Sequence, residues 1–211
     1  MLTRNLFKTL ALLLLCFSFV ACKAGSTSNN APQTDAEPAQ YQPSDIHFAV
    51  LSDIHYYDTR LGTTGSAFER YLDKDRKMLV QSVELLDIAA KQISGLKTDF
   101  VLICGDLTKD GERINHLGVA GRLKELEASG TKVFVVPGNH DINNGHAFRY
   151  SGDDQVAVPT VSAEEFKQIY APFGFEEALH SDPASLSYIA QPADGYWLMA
   201  LPPSQRTILP T

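Results

Sequence analysis

The stretch VFVVPGNHD, residues 133–141, decides how the chain is read. A run of β-formers, Val133 to Val136, meets Pro137 and Gly138 and then presents Asn139, His140 and Asp141 together. Branched and aromatic residues favour a pleated, buried strand, and proline interrupts its ladder. Three side chains able to bind a metal or move a proton therefore stand at the end of a predicted strand. Two further stretches have the same form: IHFAVLSD (46–53) and DFVLICGD (99–106), apolar runs that each close on an acid. Near-continuous apolar runs predict strands covered on both faces. On that reading Cys104 is a buried small hydrophobe.

Helical patterns separate the three runs. From about Ala67 to Ile93, Leu72, Leu79, Val83, Leu86 and Ala90 recur at helical spacing and predict one long helix with a single apolar stripe. Ser66 and Glu69 are spaced as a capping box at its start. GERINHLGVAGRLKELEASG, between the second and third runs, predicts a helix with Gly130 at the C′ position. The resulting βαβαβ order argues for an α/β fold with a parallel sheet and crossover helices. Beyond Asp141 the order loosens. Residues 142–160 read as a loop, Ser162 with Glu165 opens another helix ending near Tyr170 to Phe173, and LSYIAQPADGYWLMAL (186–201) reads as a hairpin turning at Ala193–Gly195.

The flanks carry a different signal. Arg4 and Lys8 precede an apolar run from Leu10 to Val20 that is too short to span a bilayer and fits a secretory signal peptide, residues 1–21. FVAC then resembles a lipobox, which predicts lipidation of Cys22 and an exported, membrane-anchored lipoprotein of the cell envelope. Cleavage nearby by an ordinary signal peptidase is the alternative. Residues 22–44 lack large apolar side chains and read as a flexible linker, so the folded domain is expected over 45–211. The mature form would retain only Cys22 and Cys104, which excludes a disulfide framework. With a formal net charge of −7 and no basic stripe, no nucleic-acid partner is expected.

In open α/β sheets ligands bind beyond the carboxyl ends of the strands, and here those ends read SDIH, CGDL and GNHD. Asp53 and His55 are two apart, so a strand-like backbone would point both the same way, as a mixed O/N ligand pair suited to manganese, iron or zinc. Asp106 follows a glycine that permits a sharp turn, and its two oxygens could bridge two cations. Asn139 offers an amide oxygen; His140 offers a nitrogen for binding or proton transfer.

The ordered triplet Asp53-x-His55, Gly105-Asp106 and Gly138-Asn139-His140-Asp141 resembles the signature of the calcineurin-like metallophosphoesterase family, including its secreted bacterial members. The resemblance covers roughly 46–141 and continues weakly to about 201. It implies a four-layer α/β sandwich with a two-metal site for divalent transition metals, Mn, Fe or Zn. Asp53, His55 and Asp106 would hold one ion, with Asp106 bridging to a second that Asn139 also serves. In the family a hydroxide held between the metals attacks phosphorus, and His140 would be the general acid, oriented by a neighbouring acid. A small-molecule phosphomono- or phosphodiester would be the substrate.

Three further family histidines have no match here. Of the six histidines, 47, 55, 116, 140, 146 and 180, none after His140 fits the later pattern. Gly145–His146 follows too closely, His180 reads as a surface residue, and His116 as helix surface or partial core. The ending PPSQRTILPT reads as the out-of-frame end of a truncated gene, so a second expectation stands beside the hydrolase: a non-catalytic lipoprotein of this fold, with weak metal or phosphate binding. Tyr56, Tyr57 and the loop LGTTG (61–65) read as a surface loop, with a substrate cleft as the alternative. Arg149 and Tyr150 invite a phosphate-binding role that nothing in the sequence ties to the metals.

Overall fold

The computed structural model describes residues 45–203. The expected signal peptide, linker and lipidation site at Cys22 lie outside the described residues, as does the chain from residue 204 onward. The three predicted strands form one parallel sheet in the order β1 (Phe48–Ser52), β2 (Phe100–Cys104) and β3 (Lys132–Val136). Register is level: Ser52, Cys104 and Val136 stand opposite one another at the last rung. The three motifs therefore leave the sheet side by side.

Between β1 and β2 run α1 (Ser66–Leu72) and α2 (Ser82–Gly95); α3 (Arg113–Ala128) joins β2 to β3. The single long helix expected over 67–93 is broken. Asp73 to Lys77 are five consecutive charged residues with nothing apolar to bury, and α1 stops at Asp73. The chain then turns so that Lys77 reaches inward to the Lys109 carbonyl (3.2 Å), before Leu79 and α2 resume the apolar stripe. Nor does the capping box at Ser66 form. Gly65 is the N-cap, and the Ser66 hydroxyl donates instead to Asp153. The α3 reading holds, with Gly130 at φ +95° just past the last turn.

Alternation along the strands decides what each face meets. Val101, Ile103, Val133 and Val135 are fully buried in one cluster with Leu86 and Ile93 of α2 and Val119, Leu123 and Leu126 of α3. The opposite face carries Phe48, Val50, Leu102, Cys104, Phe134 and Val136. It is open on the β1 side, where Phe48 is 53 % and Val50 52 % exposed. Cys104 is accordingly exposed, not buried. An apolar run predicts burial on both faces only where both faces have a partner, and here the second is covered over β3 and Phe100 of β2 but not over β1.

Residues 142–160, expected to be a loop, contain a short antiparallel hairpin, β4 (Phe148–Ser151) with β5 (Asp154–Ala157). Val156 is its one large aliphatic and is exposed, so hydrophobic pattern could not announce it. Tyr150 instead turns inward onto Phe68 of α1, with ring centroids 5.4 Å apart. The predicted capping box at Ser162 and Glu165 is present and opens α4 (Ala163–Ile169). A final antiparallel sheet comprises β6 (His180–Ser181), β7 (Tyr188–Ala193) and β8 (Tyr196–Ala200), the last two forming the expected hairpin. Among the described residues no helix is long and apolar enough to cross a membrane.

This second sheet closes over the β3 side of the first. An apolar cavity of ≈ 360 Å3 remains between them, lined by Leu102, Cys104, Phe134, Val136, Tyr188 and Met199 among others. One hydroxyl ties the edge of β3: Tyr188 Oη accepts from the Val135 amide (3.1 Å) and donates to the Val135 carbonyl (3.0 Å). Unpaired edge groups buried against an apolar sheet would cost free energy, and Tyr188 satisfies both. Replacing Tyr188 by Phe keeps the ring and orphans this amide and carbonyl. We expect a loss of about 1–3 kcal/mol in unfolding free energy, measured by urea denaturation. An unchanged midpoint would show that the β3 edge does not depend on the hydroxyl.

Candidate metal centre

The level strand ends continue into three loops that remain tied to one another. Past β1 and β2 the parallel pairing persists: the Asp53 amide donates to the Gly105 carbonyl (3.2 Å), His55 to Asp106 (2.9 Å) and Tyr56 to Leu107 (2.9 Å). The backbone is no longer strand-like there. Asp53, His55 and Asp106 all have positive φ, at 53°, 44° and 43°. Side chains two apart on a strand were expected to explain why Asp53 and His55 point together; the left-handed turns do so instead. That conformation costs of order 1–3 kcal/mol at a non-glycine residue, and such outliers gather at functional sites. Of the five non-glycine residues with positive φ among those described, three are these.

The outcome is a cluster. One ligand atom each from Asp53, His55 and Asp106 lies within 4.8 Å of the other two. Two carboxylates and an imidazole form a donor set suited to a divalent transition metal. The tautomer also fits. His55 Nδ1 faces the Thr108 carbonyl at 3.4 Å, which can only accept, so Nδ1 carries the hydrogen and Nε2 is left as the ligand atom. Burial, followed by the positive charge of Lys77, pushes the His55 pKa down and favours the neutral ring that a metal requires.

The third loop is fastened to the second by Asp141. Its buried carboxylate accepts from the amides of Leu107 (3.0 Å), Thr108 (2.9 Å) and Gly138 (2.7 Å), and from the Thr108 hydroxyl (2.8 Å). That is as many donors as a carboxylate can take comfortably. The His140 amide in turn donates to Asp106 Oδ1 at 3.0 Å. Gly138 makes the approach possible, since a Cβ there would lie 2.1 Å from Asp106 Oδ1 and 2.2 Å from the Asp106 amide nitrogen. Gly105, at φ +75°, supplies the turn on the facing side.

His140 thereby reaches the triad, its ring perpendicular to that of His55 with centroids 5.5 Å apart. Nδ1 donates to Asp110 Oδ1 (2.8 Å), leaving Nε2 free. The Asp110 hydrogen bond raises the His140 pKa. Burial alone would raise the Asp110 pKa, but His140, Lys109 and Lys77 bring it down to about 2. Asp110 Oδ2 also accepts from Lys109 Nζ (2.6 Å) and the Tyr71 hydroxyl (3.2 Å). Lys109 is fully buried and is shared with Glu112 Oε1 (2.9 Å). Its burial penalty is more than met by Glu112 and Asp110, which keep its pKa raised. Asn139, beside His140, is exposed.

A family model for calcineurin-like phosphoesterases matches residues 46–189, more than half of the 211-residue chain. The chain belongs to the calcineurin-like phosphoesterase family. No curated protein matches it. Membership accounts for the order of the three motifs, and the family's metal-dependent phosphoester chemistry agrees with the Asp53–His55–Asp106 cluster.

Several sequence expectations fare differently in this phosphoesterase. The acid beside His140 is Asp110, thirty positions upstream on the second loop, and the sequence reading did not name it. The charged string KDGE following Leu107 and Thr108 was the available signal, because consecutive charges next to a site acid seldom all face solvent. Tyr56 and Tyr57, expected in a surface loop or a cleft, are buried. Tyr57 donates to the Gly62 carbonyl at 2.5 Å, and Tyr56 lies under Arg122. His116 is wholly buried, so helix surface was wrong. Nε2 faces the Asp141 carbonyl (2.8 Å) and must donate, which leaves Nδ1 to accept from the Tyr170 hydroxyl (2.9 Å). Burial pushes its pKa down, consistent with that neutral form. His47, His146 and His180 are exposed, and among the described residues none joins an acid–histidine cluster able to hold a metal.

Gly138→Ala tests the loop approach directly. The added methyl must displace Asp106, so Mn2+ affinity measured by calorimetry should fall about 10- to 100-fold while the far-ultraviolet circular dichroism stays unchanged. Undiminished affinity would show that the Asp106 position does not depend on this packing.

Proposed function

We propose that this phosphoesterase chain hydrolyses small-molecule phosphomono- or phosphodiesters at a two-metal site. The observation that carries the reading is the convergence of Asp53, His55 and Asp106 within 4.8 Å beside the His140–Asp110 pair. Asp53, His55 and Asp106 would hold one divalent ion, and Asp106 with Asn139 would contribute to a second. When bound, such ions supply Lewis acidity toward the phosphoryl oxygens and lower the pKa of water. His140 donates the proton from Nε2 to the leaving oxygen. Asp110 holds the ring by Nδ1 and stabilises the protonated form, and Lys109 with Tyr71 holds Asp110. The four-layer sandwich belongs to the same proposal, supported by α2 and α3 on one face of the parallel sheet and the β6–β8 sheet over β3 on the other.

The test is Mn2+-dependent hydrolysis of p-nitrophenyl phosphate and bis(p-nitrophenyl) phosphate. Chelation should abolish it and Asp106→Ala should reduce it to background. His140→Ala should lower kcat by about 10²–10⁴. Turnover that survives both chelation and Asp106→Ala would sink the proposal.

A second reading has its own observation. Among the described residues only one acid–histidine group of metal-binding size is found, and the histidine beside it, His140, is bonded through Nδ1 to Asp110. A protein binding one ion, or phosphate alone, without turnover would fit this as well. One Mn2+ per chain by calorimetry together with no hydrolysis of either ester selects it.

We also propose export and anchoring through a lipidated Cys22, supported by Arg4, Lys8 and the apolar run Leu10 to Val20 ahead of FVAC. Cells expressing the chain should incorporate labelled palmitate into it, and Cys22→Ser should not. Equal labelling of both would refute the anchor.

A further inference from the structure

A cleft of ≈ 410 Å3 opens beside the metal cluster and shares two of its residues, Asp53 and His55. Its remaining wall includes Arg76, Lys77, Met78 and Leu85, contributed by the charged turn after α1 and by the start of α2. A phosphoester with phosphorus at the cluster has this space next to it for its organic part.

The two cations of the cleft are not equivalent. Lys77 has only 8 % of its side chain exposed, and its ammonium is engaged by Asp75 (3.1 Å), the Lys109 carbonyl (3.2 Å) and the Tyr71 hydroxyl (3.3 Å). Three donors thus meet three acceptors, and none remains for a ligand. Asp75, the acid adjacent to Arg76 in sequence, is engaged by the same network, through Lys77. Arg76 is exposed and, among the described residues, makes no hydrogen bond or ion pair. Its five donors face a cleft in a protein of formal net charge −7. Beside it, Met78 is 61 % and Leu85 48 % exposed, apolar side chains left bare where a ligand body would lie.

We infer that Arg76 is a specificity residue that binds a second anionic group, a carboxylate or phosphate, carried on the apolar leaving-group side of the phosphoester. The inference rests on the hydrolase reading above and adds to it a substrate class: bis-anionic organic phosphoesters. A guanidinium pairs with such a group bidentately, which a lysine cannot reproduce. The reacting phosphoryl is served from the three strand-end loops, a different part of the chain from the turn that carries Arg76.

The experiment compares 4-carboxyphenyl phosphate with phenyl phosphate, and the matching non-hydrolysable phosphonates, on the full chain loaded with Mn2+. In the wild type, calorimetry should show the carboxylated phosphonate binding about tenfold tighter. Arg76→Ala should erase that ratio and raise KM for the carboxylated ester about tenfold, with kcat/KM for phenyl phosphate held within twofold. Arg76→Lys should restore only part of the preference. Mn2+ affinity should be the same in all three proteins, because Arg76 touches none of the cluster. An equal ratio in wild type and Arg76→Ala overturns the inference, as does an equal loss on both compounds, which would put Arg76 on the reacting phosphoryl. If neither ester is turned over but the phosphonate ratio responds to Arg76, the hydrolase reading fails and the anion subsite stands.

Discussion

The site depends on one buried carboxylate. Asp141 gathers three backbone amides and a hydroxyl from two loops that leave neighbouring strands, and so holds the GNHD turn against the GDLT turn. Hydrogen bonds to a charged acceptor are the strong ones, and four of them on one buried group leave the turns few alternatives. Glycines at 105 and 138 remove the Cβ atoms that would keep the turns apart. The strain at Asp53, His55 and Asp106 is held in place by this over-determination. His116 and Tyr170 buttress the same point from behind, through the Asp141 carbonyl.

A second constraint sets the electrostatics. Lys109 and Glu112 are fully buried and Asp110 nearly so, and such ions persist only when paired. The value of this network is geometric more than energetic, since buried ion pairs seldom add net stability. It fixes Asp110, and Asp110 fixes both the orientation and the tautomer of His140. The charged turn 73–77, which breaks the expected long helix, feeds the same network through Lys77. It also leaves Arg76 at the lip of the cleft. One interruption in a helical pattern therefore serves the charge balance of the site and the shape of its approach.

The parallel sheet was legible because β1, β2 and β3 are continuous apolar runs and the helices between them have clear periodicity. The level register was implied by motifs that recur at the strand ends. Other features were not legible, each for a local reason. Cys104 lies on a sheet face whose cover is incomplete, and coverage is a property of distant segments such as β7 and β8. The β4–β5 hairpin has little apolar alternation, and what anchors it is Tyr150 packed on Phe68 of α1, with Phe148 against the same apolar cluster. Ser66 had the spacing of a cap, but Asp153 offered its hydroxyl a better partner from across the fold.

The sequence by itself determined the α/β class, the order of the three motifs and which side chains are chemically able to bind a metal. Those properties reside in residue type and short spacing, which survive without a fold. Tertiary structure alone decided that Asp53 and His55 meet Asp106 through left-handed turns, that the partner of His140 is Asp110, and that Arg76 is left uncommitted while Lys77 is not. Each of these turns on which donors and acceptors are brought within reach of one another from separate loops. Only the folded chain, excluding water and forcing each buried polar group to find a partner, settles that competition.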